Sequence, residues 1–86
     1  MPAAMSESPT HCIRSLRQAG FALRARRRAC KMTQKDLAAA TGTAQSTISD
    51  IETGGVSVSL DVYLRLLEAL GSDLSVSDRL SDRDRF

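Results

Sequence analysis

Four uncharged polar side chains lie close together in the sequence TAQSTIS, residues 43–49, where they surround Ile48. They are Gln45, Ser46, Thr47 and Ser49. A Gln amide donates and accepts hydrogen bonds, and the hydroxyls of Ser and Thr do the same. Such groups suit the recognition of base edges, where Gln pairs with adenine and a Thr methyl contacts thymine. The alternative interpretation is an ordinary polar surface helix.

Catalytic and metal-binding patterns suggest no comparable chemistry. The single histidine, His11, lies near the N-terminus, and we find no paired acids or Ser/His/Asp set. His11, Cys12 and Cys30 lack the spacing of metal ligands. We therefore expect no enzyme activity, catalytic residue, metal or cofactor. His11 is expected to be an exposed or capping residue, and Cys30 a small core residue.

The composition predicts one small domain with an aliphatic core. The chain has 86 residues with no Trp, one Tyr and two Phe, which favours helices built on Leu, Ile, Val and Ala. A core this small is marginal alone, so oligomerisation would help it. No secretory signal and no run of about 20 apolar residues is evident. We expect a cytoplasmic protein with no membrane segment and no small-molecule substrate.

The charge is distributed unevenly along the chain. Residues 1–35 carry a net charge of +7 and residues 36–86 a net charge of −5, which gives the overall +2. A basic N-terminal half suggests an anionic partner such as nucleic acid. A solvated basic face on a helix remains the alternative.

Apolar residues that recur every three or four positions predict four helices. Thr33, with Asp36 three residues on, forms a variant of the capping box, and Gly42 can take the left-handed conformation that ends a helix. The predicted helices span residues 11–30, 34–41, 45–53 and 60–70. The inner face of the fourth helix is predicted to contain Leu60, Tyr63, Leu64, Leu67 and Leu70.

One charged residue interrupts the apolar face of the first helix. That residue is Arg27, and a buried Arg needs an acidic partner elsewhere. The face as a whole consists of Ile13, Leu16, Gly20, Leu23, Arg27 and Cys30.

The residues after Gly71 follow a different period. Polar and apolar residues alternate from Asp73 to Ser77, which predicts a short strand. A lone strand is unstable, so we expect it to pair with the same strand of a second copy through Leu74 and Val76. An irregular tail is the alternative.

Residues 33–53 have the arrangement of a helix-turn-helix, with Gly42 in the turn. In that motif the second helix enters the major groove of DNA. Ala38 is small enough for the two helices to approach closely, and Ile48 and Ile51 would anchor the second helix to the core.

The stretch LRARRRACKMTQKDLAAATGTAQSTISDIETG resembles the Cro/C1-type helix-turn-helix family, also called lambda-repressor-like or XRE. The resemblance covers about residues 13–76. Ala44 stands where the family usually has Ser, Asp50 where Arg or Lys is common, and Lys31 where Gly is usual. The matching residues are Leu23, Arg24, Arg27, Thr33, Gln34, Leu37, Ala38, Gly42, Gln45 to Ser49, Ile51, Glu52, Gly54, Ser59, Leu60, Asp61, Leu70 and Gly71.

The resemblance implies roles for individual residues. A Glu at the position of Glu52 typically pairs with the Arg at position 27, so we expect a structural salt bridge between them. The expected fold is an all-α lambda-repressor-like domain of four helices, with the short C-terminal strand pairing across a homodimer. The expected DNA base readers are Gln45, Ser46, Thr47 and Ser49, and the expected phosphate contacts are Gln34, Lys35, Arg24 and Thr43.

The C-terminal part, SLDVYLRLLEALGSDLSVSD, resembles HipB-like antitoxins within that family. Such proteins repress their own operon and bind a HipA-type kinase toxin. The resemblance implies a repressor that binds a palindromic operator in double-stranded DNA as a homodimer and has a HipA-like toxin as its partner. The alternative is a stand-alone dimeric regulator without a toxin.

These patterns divide the chain into four parts. Residues 1–10 are expected to be disordered, and residues 11–71 to form the helix-turn-helix DNA-binding domain. Residues 72–78 are expected to form the dimerisation strand, and residues 79–86 a charged flexible tail.

Overall fold

A computed structural model describes residues 10–79 of the chain, in which four helices form an all-α helix-turn-helix domain. Helix α1 spans Leu16–Ala29, α2 Gln34–Thr41, α3 Gln45–Thr53 and α4 Leu60–Ala69. The predicted helical fold is confirmed. The N-terminus predicted to be disordered and the charged tail lie outside the described residues, except for Thr10 and Arg79. None of the helices in the described part has the length and apolar character that crossing a membrane requires.

Helix α1 begins later than predicted, at Leu16 instead of residue 11. Ser15 is the N-cap, and its hydroxyl accepts the backbone N–H of Gln18 at 3.1 Å. Residues 11–14 are not helical, yet Ile13 packs against the core from this segment. The apolar residue at position 13 therefore reflects packing of the preceding segment and not a further turn of helix.

The C-terminal end of α1 also differs from the prediction. Cys30, expected in the core, is exposed, and its Sγ donates to the carbonyl oxygen of Leu70 at 3.4 Å. The next residue, Lys31, has φ of 58°, in the left-handed region. A side chain makes this conformation unfavourable by about 1–2 kcal/mol, which agrees with the Gly that the family resemblance leads one to expect at this position.

Helix α2 begins with a complete capping box. The Thr33 hydroxyl accepts the N–H of Asp36 at 3.0 Å, and the Asp36 carboxylate accepts the N–H of Thr33 at 3.0 Å. These bonds hold the pKa of Asp36 below its ordinary value of 3.8, chiefly through the backbone N–H of Thr33. Gly42, with φ of 68°, ends the helix in the left-handed conformation.

We expect the stabilising effect of Asp36 to disappear on acidification. Because its pKa is lower in the folded chain, Asp36 stabilises the fold above its unfolded pKa, and this effect is lost as the pH falls through the folded value. The Asp36→Ala variant should be less stable than the parent at neutral pH, and the difference should shrink in acid. Urea unfolding at a series of pH values measures this difference, and a difference independent of pH would contradict the role of the carboxylate.

The core is aliphatic, as the composition predicts. Tyr63 is its one aromatic residue; its hydroxyl donates to the carbonyl of Ala19 at 2.7 Å, and burial raises the pKa of Tyr63. These contacts join α1 to α4. The core cluster consists of Leu23, Leu37, Ala38, Ile48, Ile51, Tyr63, Leu66, Leu67 and Leu70.

The inward face of α4 is rotated from the predicted one. Leu66, which the predicted inner face does not include, is fully buried. Leu60 and Leu64, which the prediction places on the inner face, are 62% and 42% exposed. The apolar positions of α4 therefore cover two faces, of which only one contacts the core of the same chain.

The segment after α4 is attached to α1 but forms no strand within the described residues. The hydroxyl of Ser72 accepts from Arg26 Nε at 2.8 Å, and the Ser72 N–H donates to the Leu67 carbonyl at 2.9 Å. The strand predicted for residues 72–78 would pair with a second chain, so its formation stays a prediction.

Candidate nucleic-acid interface

The α2–turn–α3 unit is held by short contacts around Gly42. Leu37 and Ala38 of α2 are buried, and the N–H of Thr43 donates to the Ala38 carbonyl at 3.1 Å. Ile48 and Ile51 bury one side of α3 in the core. The opposite side of α3 is therefore free for contact with another molecule.

The outward side of α3 contains only part of the set predicted from the sequence. Gln45 and Ser46 are exposed, whereas Thr47 and Ser49 are half-buried at its edges. Asp50, which the predicted set does not include, is exposed one helical turn after Ser46. The rotation of α3 about its axis, which is set by Ile48 and Ile51, determines this difference.

The N-terminus of α3 is not capped by a side chain. The cap residue is Ala44, and it forms no side-chain hydrogen bond. Thr43 does not replace it, because the Thr43 hydroxyl lies 3.0 Å from the Thr41 hydroxyl, on the α2 side of the turn. The first N–H groups of a helix have no partner within the helix, so this end of α3 can still donate hydrogen bonds.

An ion pair between Arg27 and Glu52 connects α1 to α3. Arg27 Nε and Nη2 donate to the two carboxylate oxygens of Glu52 at 2.7 and 3.0 Å. The two side chains are 10% and 3% exposed. Hydrogen bonding to Glu52 raises the pKa of Arg27. The pair fixes the orientation of the outward face of α3 relative to α1.

Two further bonds bring the start of α2 into this network. Arg27 Nη1 donates to the Met32 carbonyl at 2.7 Å, and Gln34 Nε2 donates to Glu52 at 3.1 Å. The side-chain amide of Gln34 is thus occupied by a structural bond, which does not involve the backbone N–H through which Gln34 is expected to contact phosphate. Its backbone N–H, in the first turn of α2, remains a candidate for that contact.

The other residues predicted to contact phosphate lie around this unit. Arg24 and Lys35 are exposed, and Thr43 is half-buried in the turn. Neither Arg24 nor Lys35 forms a salt bridge within the described residues, where the pairs are Arg27–Glu52 and Arg65–Asp61. Both cations are therefore available to an anionic ligand.

The backbones of α1 and α3 approach closely at Gly20. A Cβ added to Gly20 would overlap the carbonyl oxygen of Ile51 and lie 2.8 Å from that of Glu52. Glycine is required here because the last turn of α3 occupies the space of a side chain. The sequence placed Gly20 on the apolar face but contained no signal for this contact.

A family model for a helix-turn-helix matches residues 23–76. The chain belongs to this helix-turn-helix family, in its Cro/C1-type branch. The matched range includes α2 and α3 and extends to the segment after α4. No curated protein matches the sequence.

Several solved structures resemble the domain. A HipB–O4 20mer complex aligns with a TM-score of 0.72 and 28% identity, over 80% of this chain and 97% of that one. A HipA–HipB–O2–O3 complex aligns with a TM-score of 0.71 and 28% identity, over the same 80% and 97%. The clp gene regulator ClgR from C. glutamicum aligns with a TM-score of 0.64 and 30% identity, over 80% and 83%. The family and these neighbours support a DNA-binding transcriptional regulator.

Proposed function

We propose that this regulator is a repressor that binds a palindromic operator in double-stranded DNA as a homodimer. The observation that carries the proposal is the division of α3 between a buried side and an exposed one. Gln45 and Ser46 on the exposed side read base edges, and Thr47 and Ser49 contribute at the margins. The Arg27–Glu52 pair holds this face in position.

Phosphate contacts position the domain on the duplex and supply affinity that does not depend on sequence. Arg24 and Lys35 contribute positive charge. The backbone N–H of Gln34 lies in the first turn of α2, where the helix dipole favours an anion, and the Thr43 hydroxyl is a further donor. These contacts make binding strongly dependent on salt.

The proposed test is a gel shift with the promoter DNA of the protein's own gene. We expect Gln45→Ala to weaken binding to the cognate site by about 1–3 kcal/mol and to relax the preference at one base pair. The reason is that the amide of Gln45 pairs with one base and has little contact with the backbone. Competition with variant duplexes measures the relaxed position.

Lys35→Ala is the matched control for Gln45→Ala. Loss of a phosphate contact should weaken binding to all sequences alike and should reduce the dependence of affinity on salt. An equal loss for Gln45→Ala on random DNA would contradict its base-reading role. A wild-type protein without affinity for its promoter would contradict the proposed repressor function itself.

Exposed apolar residues support the proposed dimer. Leu74 is 42% exposed and Val76 is 98% exposed, and Leu60 and Leu64 form the second apolar face of α4. A cleft of about 210 Å³ opens beside them. It is lined by Ile13, Ala19, Val58, Leu60, Tyr63 and Leu74. A second copy that covers this region with its own residues 72–78 would bury these side chains.

We expect the double variant Leu74→Asp, Val76→Asp to be monomeric at concentrations where the parent is a dimer. The introduced carboxylates would have to be buried without partners, which is strongly unfavourable. Light scattering measures the molecular mass. Ser75→Asp, Ser77→Asp is the control, because alternation along a strand places these residues on its other face. A parent that is monomeric would contradict the proposed dimer.

We further propose that the regulator is the antitoxin of a HipA/HipB-type operon and binds a kinase toxin. The resemblance of residues 59–78 to HipB-like proteins supports this proposal, as does the similarity to HipB in a complex with HipA. Co-expression with the adjacent gene tests it: the expected result is a stable complex with a kinase. A neighbouring gene of another kind would favour a stand-alone regulator, for which the similarity to ClgR is the supporting observation.

A further inference from the structure

Asp50 is an exposed acid on the outward face of the recognition helix α3. It lies one turn after Ser46 and one turn before the end of the helix. Its backbone carbonyl accepts the Thr53 hydroxyl at 2.9 Å and the Gly55 N–H at 3.2 Å. Its carboxylate takes part in neither salt bridge of the described residues.

The position of Asp50 gives the carboxylate no stabilising role in the fold. A negative charge in the C-terminal half of a helix interacts unfavourably with the helix dipole. On a surface that faces DNA, the same charge is repelled by the phosphates. A residue that is unfavourable in both respects indicates a functional constraint at that position.

The favourable contact for this carboxylate is with hydrogen-bond donors on base edges in the major groove. An ionised carboxylate only accepts hydrogen bonds. Cytosine presents the N4 amino group, whereas guanine presents N7 and O6 and thymine presents O4, which are all acceptors. Adenine presents the N6 amino group beside the acceptor N7, so its edge is mixed. The Asp50 carboxylate therefore accepts a hydrogen bond most favourably from cytosine.

We propose that Asp50 is a specificity determinant that selects cytosine at one position of each operator half-site and rejects guanine and thymine there. The inference rests on the proposed binding of DNA through the outward face of α3. Gln45 and Ser46 both donate and accept hydrogen bonds. Asp50 accepts only, so a wrong base leaves an uncompensated charge facing acceptors. Its contribution is mainly rejection of wrong sites, which is an effective route to specificity.

The experiment is selection of binding sites from a pool of random duplexes by the full chain and by its variants. We expect wild-type sites to contain cytosine at one symmetric position of each half-site, with about tenfold preference over guanine or thymine. Asp50→Asn should shift that position to adenine, because an amide pairs with adenine N6 and N7. Asp50→Ala should remove the preference and strengthen binding to random DNA.

The matched control is Glu68→Gln, which removes the same charge from an exposed residue of α4. It should leave the preference at every position unchanged. Thermal unfolding of all variants checks that they fold, as expected for changes at exposed side chains. If Asp50→Ala keeps the parental preference and changes only overall affinity, the inference is overturned and the proposed function stands. If the wild-type chain selects no sequence, the proposed function fails as well.

Discussion

Replacing Glu52 with alanine is expected to lower the free energy of unfolding by about 3–5 kcal/mol. The change leaves the guanidinium of Arg27 buried with only the Met32 carbonyl as its partner. It also removes the acceptor of the Gln34 amide. Denaturation by urea, followed by circular dichroism, measures the loss, and DNA affinity should fall with it because α3 loses its link to α1.

Two further variants separate the contribution of the ion pair to stability from that of the neighbouring hydrogen bond. Gln34→Ala removes one hydrogen bond to Glu52 and should lower the free energy of unfolding by only about 1 kcal/mol. Arg27→Met combined with Glu52→Leu removes both charges and should recover most of the stability, since apolar replacement of a buried pair is often neutral or better. A Glu52→Ala variant that unfolds with the parent would falsify the proposed role of the pair in holding α1, α2 and α3 together.

The second large effect is expected at Gly20. In an exposed helix, glycine to alanine is stabilising by about 1 kcal/mol. Here the added methyl group would overlap backbone atoms of Ile51 and Glu52. Backbone atoms cannot rotate away as a side chain does, so α1 and α3 must move apart. We expect Gly20→Ala to lower the free energy of unfolding by about 3 kcal/mol, at the upper end of overpacking effects, which thermal or urea unfolding measures.

Gly42→Ala provides the comparison, because it changes the conformational preference without a collision. An added Cβ at Gly42 meets no atom within 4 Å, but φ there is 68°. Left-handed backbone with a side chain costs about 1–2 kcal/mol. We therefore expect Gly20→Ala to lower the free energy of unfolding more than Gly42→Ala, because the steric collision costs more than the unfavourable backbone conformation. If Gly20→Ala were as stable as the parent, the close approach of the two helices would be wrong.

Helix boundaries were predictable where the signal is local. Thr33 and Asp36 form a capping box within four residues, and Gly42 ends the helix through its own backbone, so the limits of α2 follow from the sequence. The predicted start of α1 at residue 11 is wrong, because the helix begins at Leu16. Ile13 continues the apolar period although it packs from outside the helix, and this concealed the cap at Ser15.

Features that depend on how helices pack could not be obtained in this way. Periodicity places Leu60 and Leu64 on an apolar face of α4, but it does not show whether that face contacts the core of the same chain. Half-burial of Thr47 and Ser49 depends on the rotation of α3, which is fixed by contacts with other helices. The bond from Gln34 to Glu52 joins residues far apart in sequence, and no local pattern indicates it.

The acidic partner of Arg27 could not be identified from the residues alone. The apolar face of α1 indicated that Arg27 needed a partner, but the residues alone did not identify which acid. Resemblance to a known family supplied Glu52, and the structure contains the pair. Spacing alone would have left several acids as equal candidates, since the two residues lie on different helices.

The division of α3 into a buried and an exposed side also has a consequence for a gene that encodes such a domain, when that gene is duplicated and its copies diverge. Ile48, Ile51 and Glu52 are buried and hold the scaffold, whereas Gln45 and Asp50 are exposed. Under the base-reading role proposed above, mutations at the exposed positions would redirect a copy to new promoters with little change in thermal stability. Two descendants would keep one architecture and regulate separate genes. A designer can use the same separation by exchanging outward residues on an unaltered framework.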